Sequence, residues 1–113
     1  MNMIFQRGLL VLGAMALLSM PLVAQANNKH VGEAIEHAKE AVEHGKKGHA
    51  DALVKHAEGA LKHAEAAQKD MKNPHLDEGV KHLKEAVEHG KAGHADIATE
   101  HAEGAVTHLS EVK

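Results

Sequence analysis

Twelve histidines carry most of the chemistry that this sequence of 113 residues offers. They recur at seven-residue steps on both sides of two short turns, H-G-K-K-G-H at residues 44–49 and H-G-K-A-G-H at residues 89–94. The imidazole ring titrates between about pH 5 and 8, and it is the commonest metal ligand among side chains. We therefore predict that the whole set binds metal, namely His30, His37, His44, His49, His56, His63, His75, His82, His89, His94, His101 and His108.

The seven-residue spacing decides how these histidines can cooperate. Residues seven apart on a helix are separated by about 10.5 Å along its axis, whereas a metal–nitrogen bond is about 2 Å long. Each histidine therefore needs a partner on another helix. If the chain reverses at each turn, residues equidistant from the turn face each other. The predicted contacts are the end pairs His30/His63 and His75/His108, the middle pairs His37/His56 and His82/His101, and the turn pairs His44/His49 and His89/His94. We expect the turn pairs to be the best placed, because the turn holds both members together.

Glutamates lie three or four residues from many of these histidines, which makes them neighbours on a helix surface. The candidate additional ligands are Glu33, Glu40, Glu78 and Glu85. Two imidazoles and one carboxylate suit borderline divalent ions, so we expect Cu(II) first and also Zn(II), Ni(II) or Co(II). The chain has no cysteine, and Met71 is its only methionine after residue 26. A dedicated Cu(I) site is therefore not expected.

The chain repeats itself with a period of 45 residues. Residues 28–68 and 73–113 share 22 identities in 41 aligned positions, and all six histidines of each copy superpose. A repeat of this length is typical of one supersecondary unit used twice. We predict repeat 1 at 28–68, a linker at 69–72 and repeat 2 at 73–113. The predicted helices are 29–45, 49–69, 74–90 and 94–112.

Particular residues indicate where these helices begin and end. Asn28 and Asn73 are suitable N-caps, and Pro74 suits the first helical position. Gly45 and Gly90 suit a left-handed residue at the end of the first helix of each copy.

Alanine, leucine and valine form an apolar stripe beside the histidines on each predicted helix. Four such helices with short connections predict an all-α fold, an antiparallel up-down-up-down four-helix bundle made of two helical hairpins. Its core would be thin, because it is rich in alanine and lacks aromatic residues. Single cores of this size supply only about 3–5 kcal/mol, so a ligand that binds only the folded chain would stabilise it substantially.

The first 26 residues have the features of a secretory signal peptide. Arg7 precedes an uncharged apolar run, and Ala24-Gln25-Ala26 resembles a cleavage site. The run is shorter than the roughly 20 residues needed to span a bilayer. We predict that residues 1–26 are removed, and that residues 27–113 form one domain in the periplasm with no membrane attachment.

Charge and composition exclude several classes of function. All 16 acidic residues and 12 of the 13 basic residues follow residue 26, which gives this part a net charge of −4 with neutral histidines. Such a chain offers no net basic surface for nucleic acid. Phe5 is the only aromatic residue of the Phe, Tyr and Trp set, and no C-x-x-C-H motif is present, so haem is disfavoured. No catalytic motif is recognisable, so we do not predict an enzyme.

The decapeptide E-A-V-E-H-G-K-x-G-H occurs at residues 40–49 and 85–94, and H-A-E occurs at 56–58 and 101–103. These motifs in an exported, cysteine-free, histidine-rich chain resemble the periplasmic small metal-binding proteins of nitrifying bacteria. The resemblance covers the whole predicted mature chain. It implies a monomeric four-helix bundle that binds several divalent metals, copper foremost, and acts in copper homeostasis.

Two functions follow from the histidine pattern. The first is periplasmic sequestration or buffering of divalent transition metals, with metal ions as the partners. The alternative is a structural or interaction bundle whose histidines act as a pH switch. Protonating all twelve would change the net charge from −4 to +8, and repulsion between paired rings would loosen the bundle.

Overall fold

The computed structural model describes residues 22–113, with side chains from Lys29 onward. Most of the predicted signal peptide lies outside the described residues, so its cleavage stays a prediction. Four α-helices account for nearly all of the described chain: α1 Leu22–Lys46, α2 Ala50–Asp70, α3 Pro74–Lys91 and α4 Ala95–Ser110. The predicted all-α class with four helices is therefore confirmed, and residues 22–113 contain no strand. None of the described helices has the length and apolar character needed to cross a membrane.

Helix α3 begins as its sequence predicts. The side chain of Asn73 accepts hydrogen bonds from the backbone N–H groups of His75 and Leu76, at 2.8 and 3.3 Å, and Pro74 takes the first helical position. The prediction that Asn28 caps the first helix is wrong, because α1 already begins at Leu22 and runs through that residue.

The turn between α1 and α2 is closed by two backbone hydrogen bonds. The N–H of His49 donates to the carbonyl of His44, and that of Gly48 donates to the carbonyl of Gly45, both at 2.9 Å. This is the Schellman pattern, which places a left-handed residue just before the final donor. Gly48 takes that position with φ +79°. The second turn repeats these bonds at His94 and Gly93, and Gly93 has φ +83°.

The prediction that Gly45 and Gly90 adopt the left-handed conformation is therefore wrong. Both lie inside helices and are buried. A Cβ on Gly45 would collide with the hydroxyl of Thr99, and one on Gly90 would lie 2.6 Å from a methyl group of Val54. These glycines are needed because a neighbouring helix approaches closely, not because of their backbone conformation.

Each helix packs mainly against two neighbours. α1 contacts α2, α3 contacts α4, and the two hairpins meet through α2 with α3 and α1 with α4. We use hairpin for two consecutive helices that are joined by a short turn and contact each other. The core consists mostly of alanines, and its largest fully buried side chains are Leu53, Leu76, Leu83 and Leu109. The thin core predicted from composition is thus observed.

Candidate metal centre

The structure brings each predicted pair of histidines into contact. Within a pair the ring centroids are 5.5–6.3 Å apart. The end pairs are His30/His63 at 5.7 Å and His75/His108 at 5.6 Å. The middle pairs are His37/His56 at 6.1 Å and His82/His101 at 5.5 Å. The turn pairs are His44/His49 at 6.3 Å and His89/His94 at 6.2 Å.

Three of these pairs present ligand atoms at a distance that suits one metal ion. The Nδ1 atoms are 3.4 Å apart in both end pairs and 3.3 Å apart in His82/His101. Two atoms bound about 2.0–2.1 Å from one tetrahedral ion lie about 3.3 Å apart. The imidazoles therefore fit an ion with little movement of either ring.

The rings also stack diagonally between neighbouring pairs, a contact that the pairing rule did not predict. Their centroids are 5.0–5.5 Å apart and their planes lie within 17° of parallel. The stacked contacts are His37 with His63, His44 with His56, His82 with His108, and His89 with His101. Each hairpin therefore carries one continuous column of six imidazoles rather than three separate pairs.

A glutamate completes each middle pair, in the same way in both hairpins. Oε1 of Glu40 lies 3.1 Å from Nδ1 of His56 and 3.7 Å from Nδ1 of His37. The corresponding distances from Glu85 are 3.2 Å to His101 and 3.8 Å to His82. We call these sets the middle groups. In each of them, the three ligand atoms lie within 4.8 Å of one another.

The end pairs use different carboxylates in the two hairpins. In the first, Glu33 lies with its Oε1 3.0 Å from Nδ1 of His63. In the second, Glu111 takes this role, 3.1 Å from Nδ1 of His75. We call His30/Glu33/His63 and His75/His108/Glu111 the end groups.

Glu111 was missed as a candidate because the repeat aligns it with Ala66. Its position three residues after His108 was the available signal. Glu78 instead forms a further group with His82 and His108, again with all ligand atoms within 4.8 Å.

The turn pairs are the least complete of the three kinds, contrary to our expectation. Their rings are the farthest apart, and among residues 29–113 no carboxylate joins either pair in a three-ligand group. The first turn pair lacks a carboxylate because Glu40, four residues before His44, lies beside His37 and His56 instead.

Two histidine nitrogens in the first hairpin are buried without a hydrogen-bond partner. They are Nδ1 of His37 and Nδ1 of His44. A buried polar atom without a partner costs about 1–3 kcal/mol. A metal ion bound at these atoms would remove that cost, so the structure fits a ligand there.

Two glycines leave room for the rings of the middle groups. A Cβ on Gly59 of α2 would lie 3.3 Å from Nδ1 of His37, and one on Gly104 of α4 would lie 3.1 Å from Nδ1 of His82. The sequence H-A-E-G therefore supplies a histidine ligand and, three residues later, the space that its partner's ring occupies.

The imidazoles are partly open to solvent. The exposed fraction of the side chain ranges from 25% in His101 to 46% in His75 among those that contact a glutamate. Such groups can take up and release an ion without a large movement of the helices.

The family described as "Small metal-binding protein" matches the chain over residues 3–112. The chain belongs to this family. The match extends over both histidine columns, and it confirms the resemblance drawn from the decapeptide and the H-A-E motif. A search of curated proteins finds no match.

Membership of the small metal-binding protein family supports metal ions as the partners of the chain. It also agrees with the five groups of histidine and glutamate that have ligand-like spacing among the described residues. The family description does not say which metal is bound, so that choice rests on the chemistry of the donor atoms.

Proposed function

We propose that this protein binds divalent transition metals in the periplasm, Cu(II) foremost, and buffers or sequesters them. The observation that carries this proposal is the recurrence of the middle group, two histidines and one glutamate, in both hairpins, with glutamate–histidine distances of 3.1 and 3.7 Å in the first and 3.2 and 3.8 Å in the second. A contact that served only to pair two helices would not need the same third ligand and the same facing glycine in each copy.

We assign the tightest sites to the two middle groups and the two end groups. Each offers two imidazole nitrogens and one carboxylate oxygen, and leaves at least one coordination position to water. The turn pairs His44/His49 and His89/His94 would hold ions more weakly, since each supplies two ligands. In this way all twelve predicted histidines take part.

The donor set favours Cu(II) over the other divalent ions. Imidazole and carboxylate sites follow the order in which Cu(II) binds more tightly than Zn(II), Ni(II) or Co(II). The described residues contain no thiolate, and the Met71 side chain packs against the apolar core. The set therefore offers nothing that would favour Cu(I).

Several similar and open sites suit buffering better than catalysis. A catalytic metal site usually has three fixed ligands in a shaped pocket with one open position. Here the ligands are partly exposed along the surface of two hairpins, so ions can enter and leave at many points. The contacts of residues equidistant from each turn also support the antiparallel up-down-up-down course that we infer for the four helices.

Titration of the purified protein with single metals tests the proposal. We expect several equivalents of Cu(II), with weaker binding of Zn(II), Ni(II) and Co(II) and negligible binding of Mg(II). Equal, weak binding of all five ions would contradict it. If the histidines served instead as a pH switch, acidification would loosen the bundle, and metals would bind no more tightly than to a variant lacking the middle pairs.

The periplasmic location needs its own test. Cell fractionation of the full chain should recover a shortened protein in the periplasm that begins near Asn27. Deleting residues 1–26 should leave the protein in the cytoplasm. Recovery of an uncleaved chain in the cytoplasm would contradict the predicted export.

A further inference from the structure

We propose that Glu78, His82 and His108 form a transfer site, through which a bound divalent ion passes between the end group and the middle group of the second hairpin without leaving the protein. This inference rests on the metal-binding function proposed above. It goes beyond metal binding itself, because it concerns how ions move between sites within one chain.

The second hairpin contains three overlapping groups of possible metal ligands. The end group His75/His108/Glu111 and the middle group His82/Glu85/His101 share no residue. The third group, Glu78/His82/His108, takes one histidine from each of them and adds a carboxylate of its own. The end and middle groups can therefore be occupied together, whereas the third group competes with both.

The overlap between these groups allows a bound ion to exchange its ligands one step at a time. An ion in the end group keeps His108 while it gains His82 and Glu78, and then keeps His82 while it gains Glu85 and His101. The ion retains a histidine ligand throughout and its oxidation state does not change. Direct transfer is not available, because successive pairs are about 10.5 Å apart along the helix and ligand bonds are about 2 Å long.

The rings of the two shared histidines, His82 and His108, already lie side by side. The centroids of His82 and His108 are 5.4 Å apart and their planes differ by 17°. Glu78 is exposed, so its carboxylate can move with the ion at little cost in packing. The site thus lies between the end group and the middle group and shares a histidine with each.

The first hairpin lacks this arrangement among its described residues. The rings of His37 and His63 stack in the same way, 5.5 Å apart. Glu33, which aligns with Glu78 in the repeat, belongs instead to the end group and lies 3.0 Å from His63. The two hairpins differ in this respect because Glu111 has no counterpart in the first repeat, where Ala66 takes the aligned position. Because Glu111 serves the second end group, Glu78 is left beside His82.

The test follows Zn(II), a diamagnetic probe, on the purified protein with labelled histidines. At less than one equivalent of Zn(II), exchange spectroscopy measures how fast the ion moves between the His75/His108 and His82/His101 resonances. We expect a rate that does not depend on protein concentration and that exceeds the rate at which Zn(II) is released to an external chelator. Glu78→Gln removes the carboxylate of the transfer site and should slow the exchange by about tenfold, the lower end of the effect seen when a group around a metal site is lost.

Two variants serve as matched controls. Glu33→Gln makes the same change at the aligned position, and it should weaken the first end group while leaving exchange in the second hairpin unchanged. Glu111→Gln should shift the ion toward the middle group.

Any of three results would overturn the transfer site: an unchanged rate in Glu78→Gln, a wild-type rate proportional to protein concentration, or a wild-type rate no faster than the release of Zn(II) to an external chelator. If no imidazole resonance responded to Zn(II), the proposed metal binding itself would fail, which is a distinguishable result.

Discussion

At the scale of single residues, a middle group depends on a glutamate and a glycine as much as on its two histidines. Glu40 lies within 3.7 Å of both His37 and His56, and Gly59 leaves the space in which the ring of His37 lies. The histidine spacing alone brings two rings together. The neighbouring residues decide whether the rings are joined by a third ligand and whether they can approach the opposite helix.

Replacing Glu40 by glutamine tests its part as a ligand. Because an amide oxygen is a weaker ligand than a carboxylate, we expect Glu40→Gln to weaken one Cu(II) or Zn(II) site by about tenfold or more in calorimetric titration. Glu36→Gln removes the same charge from the exposed surface of the same helix and should leave that site unchanged. Equal losses in the two variants would indicate a general effect of charge instead of coordination.

Comparing Gly59→Ala with Gly32→Ala distinguishes the loss of space for a histidine ring from the gain in helix propensity. Both substitutions replace a helical glycine, which should favour the helix by roughly 1 kcal/mol. A Cβ on Gly32 has no neighbour within 4 Å, whereas one on Gly59 reaches the ring of His37. We therefore expect Gly32→Ala to raise the free energy of unfolding without affecting metal binding.

Gly59→Ala should weaken the first middle group, and denaturant unfolding together with metal titration measures both quantities. Unchanged metal affinity in Gly59→Ala would show that the ring does not need this space.

At the scale of the helices and turns, the Schellman turn sets the register of each hairpin. Its hydrogen bond from His49 to His44 joins the two residues of the turn pair. The middle and end pairs then follow at seven-residue steps along α1 and α2. One short turn therefore positions all six rings of a column.

Inserting one alanine between Lys46 and Lys47 tests this dependence. The insertion should shift α1 relative to α2, and so separate the end, middle and turn pairs of the first hairpin together. We expect calorimetry to show the loss of both three-ligand sites of that hairpin. An alanine inserted between Met71 and Lys72, in the loop that joins the hairpins, should leave them intact. Loss of the turn pair alone would contradict a register set by the turn.

The sequence predicted much of this arrangement because it depends on local spacing. Helical periodicity gave the four helices, and equal distance from each turn gave the six histidine pairs. The need for a glycine at position 45, by contrast, depends on Thr99, which approaches from another helix and which local spacing does not reveal. Likewise, Glu111 has no counterpart in the first repeat, so its role follows only from the packed structure.

At the scale of the whole molecule, the core is small, and the ion pairs between the hairpins add little to its stability. Alanine predominates in the core. The ion pairs between hairpins, Lys46 with Glu103 and Lys91 with Glu58, lie on the surface and contribute at most about 1 kcal/mol each. We therefore expect metal binding to the folded chain to contribute substantially to its stability.

Metal should raise the thermal midpoint of unfolding, and acid should reduce that rise. A ligand present at 100 times its dissociation constant stabilises a folded protein by about 2.7 kcal/mol. Because metal binds the neutral imidazole, protons compete with it. Stabilisation by Zn(II) should therefore be larger at pH 7.5 than at pH 5. Calorimetric scans with and without metal check this, and a metal effect that persisted unchanged at pH 5 would contradict it.

Calorimetric titration of two fourfold variants with Cu(II) tests most directly whether paired histidines with a shared glutamate hold the metal. One variant replaces the middle pairs by alanine, at His37, His56, His82 and His101; the other replaces the turn pairs, at His44, His49, His89 and His94. We predict that the middle-pair variant loses two tight sites, and that the turn-pair variant keeps the tight sites and loses only weak binding. Retention of every tight site in the middle-pair variant, or their loss in the turn-pair variant alone, would contradict the assignment.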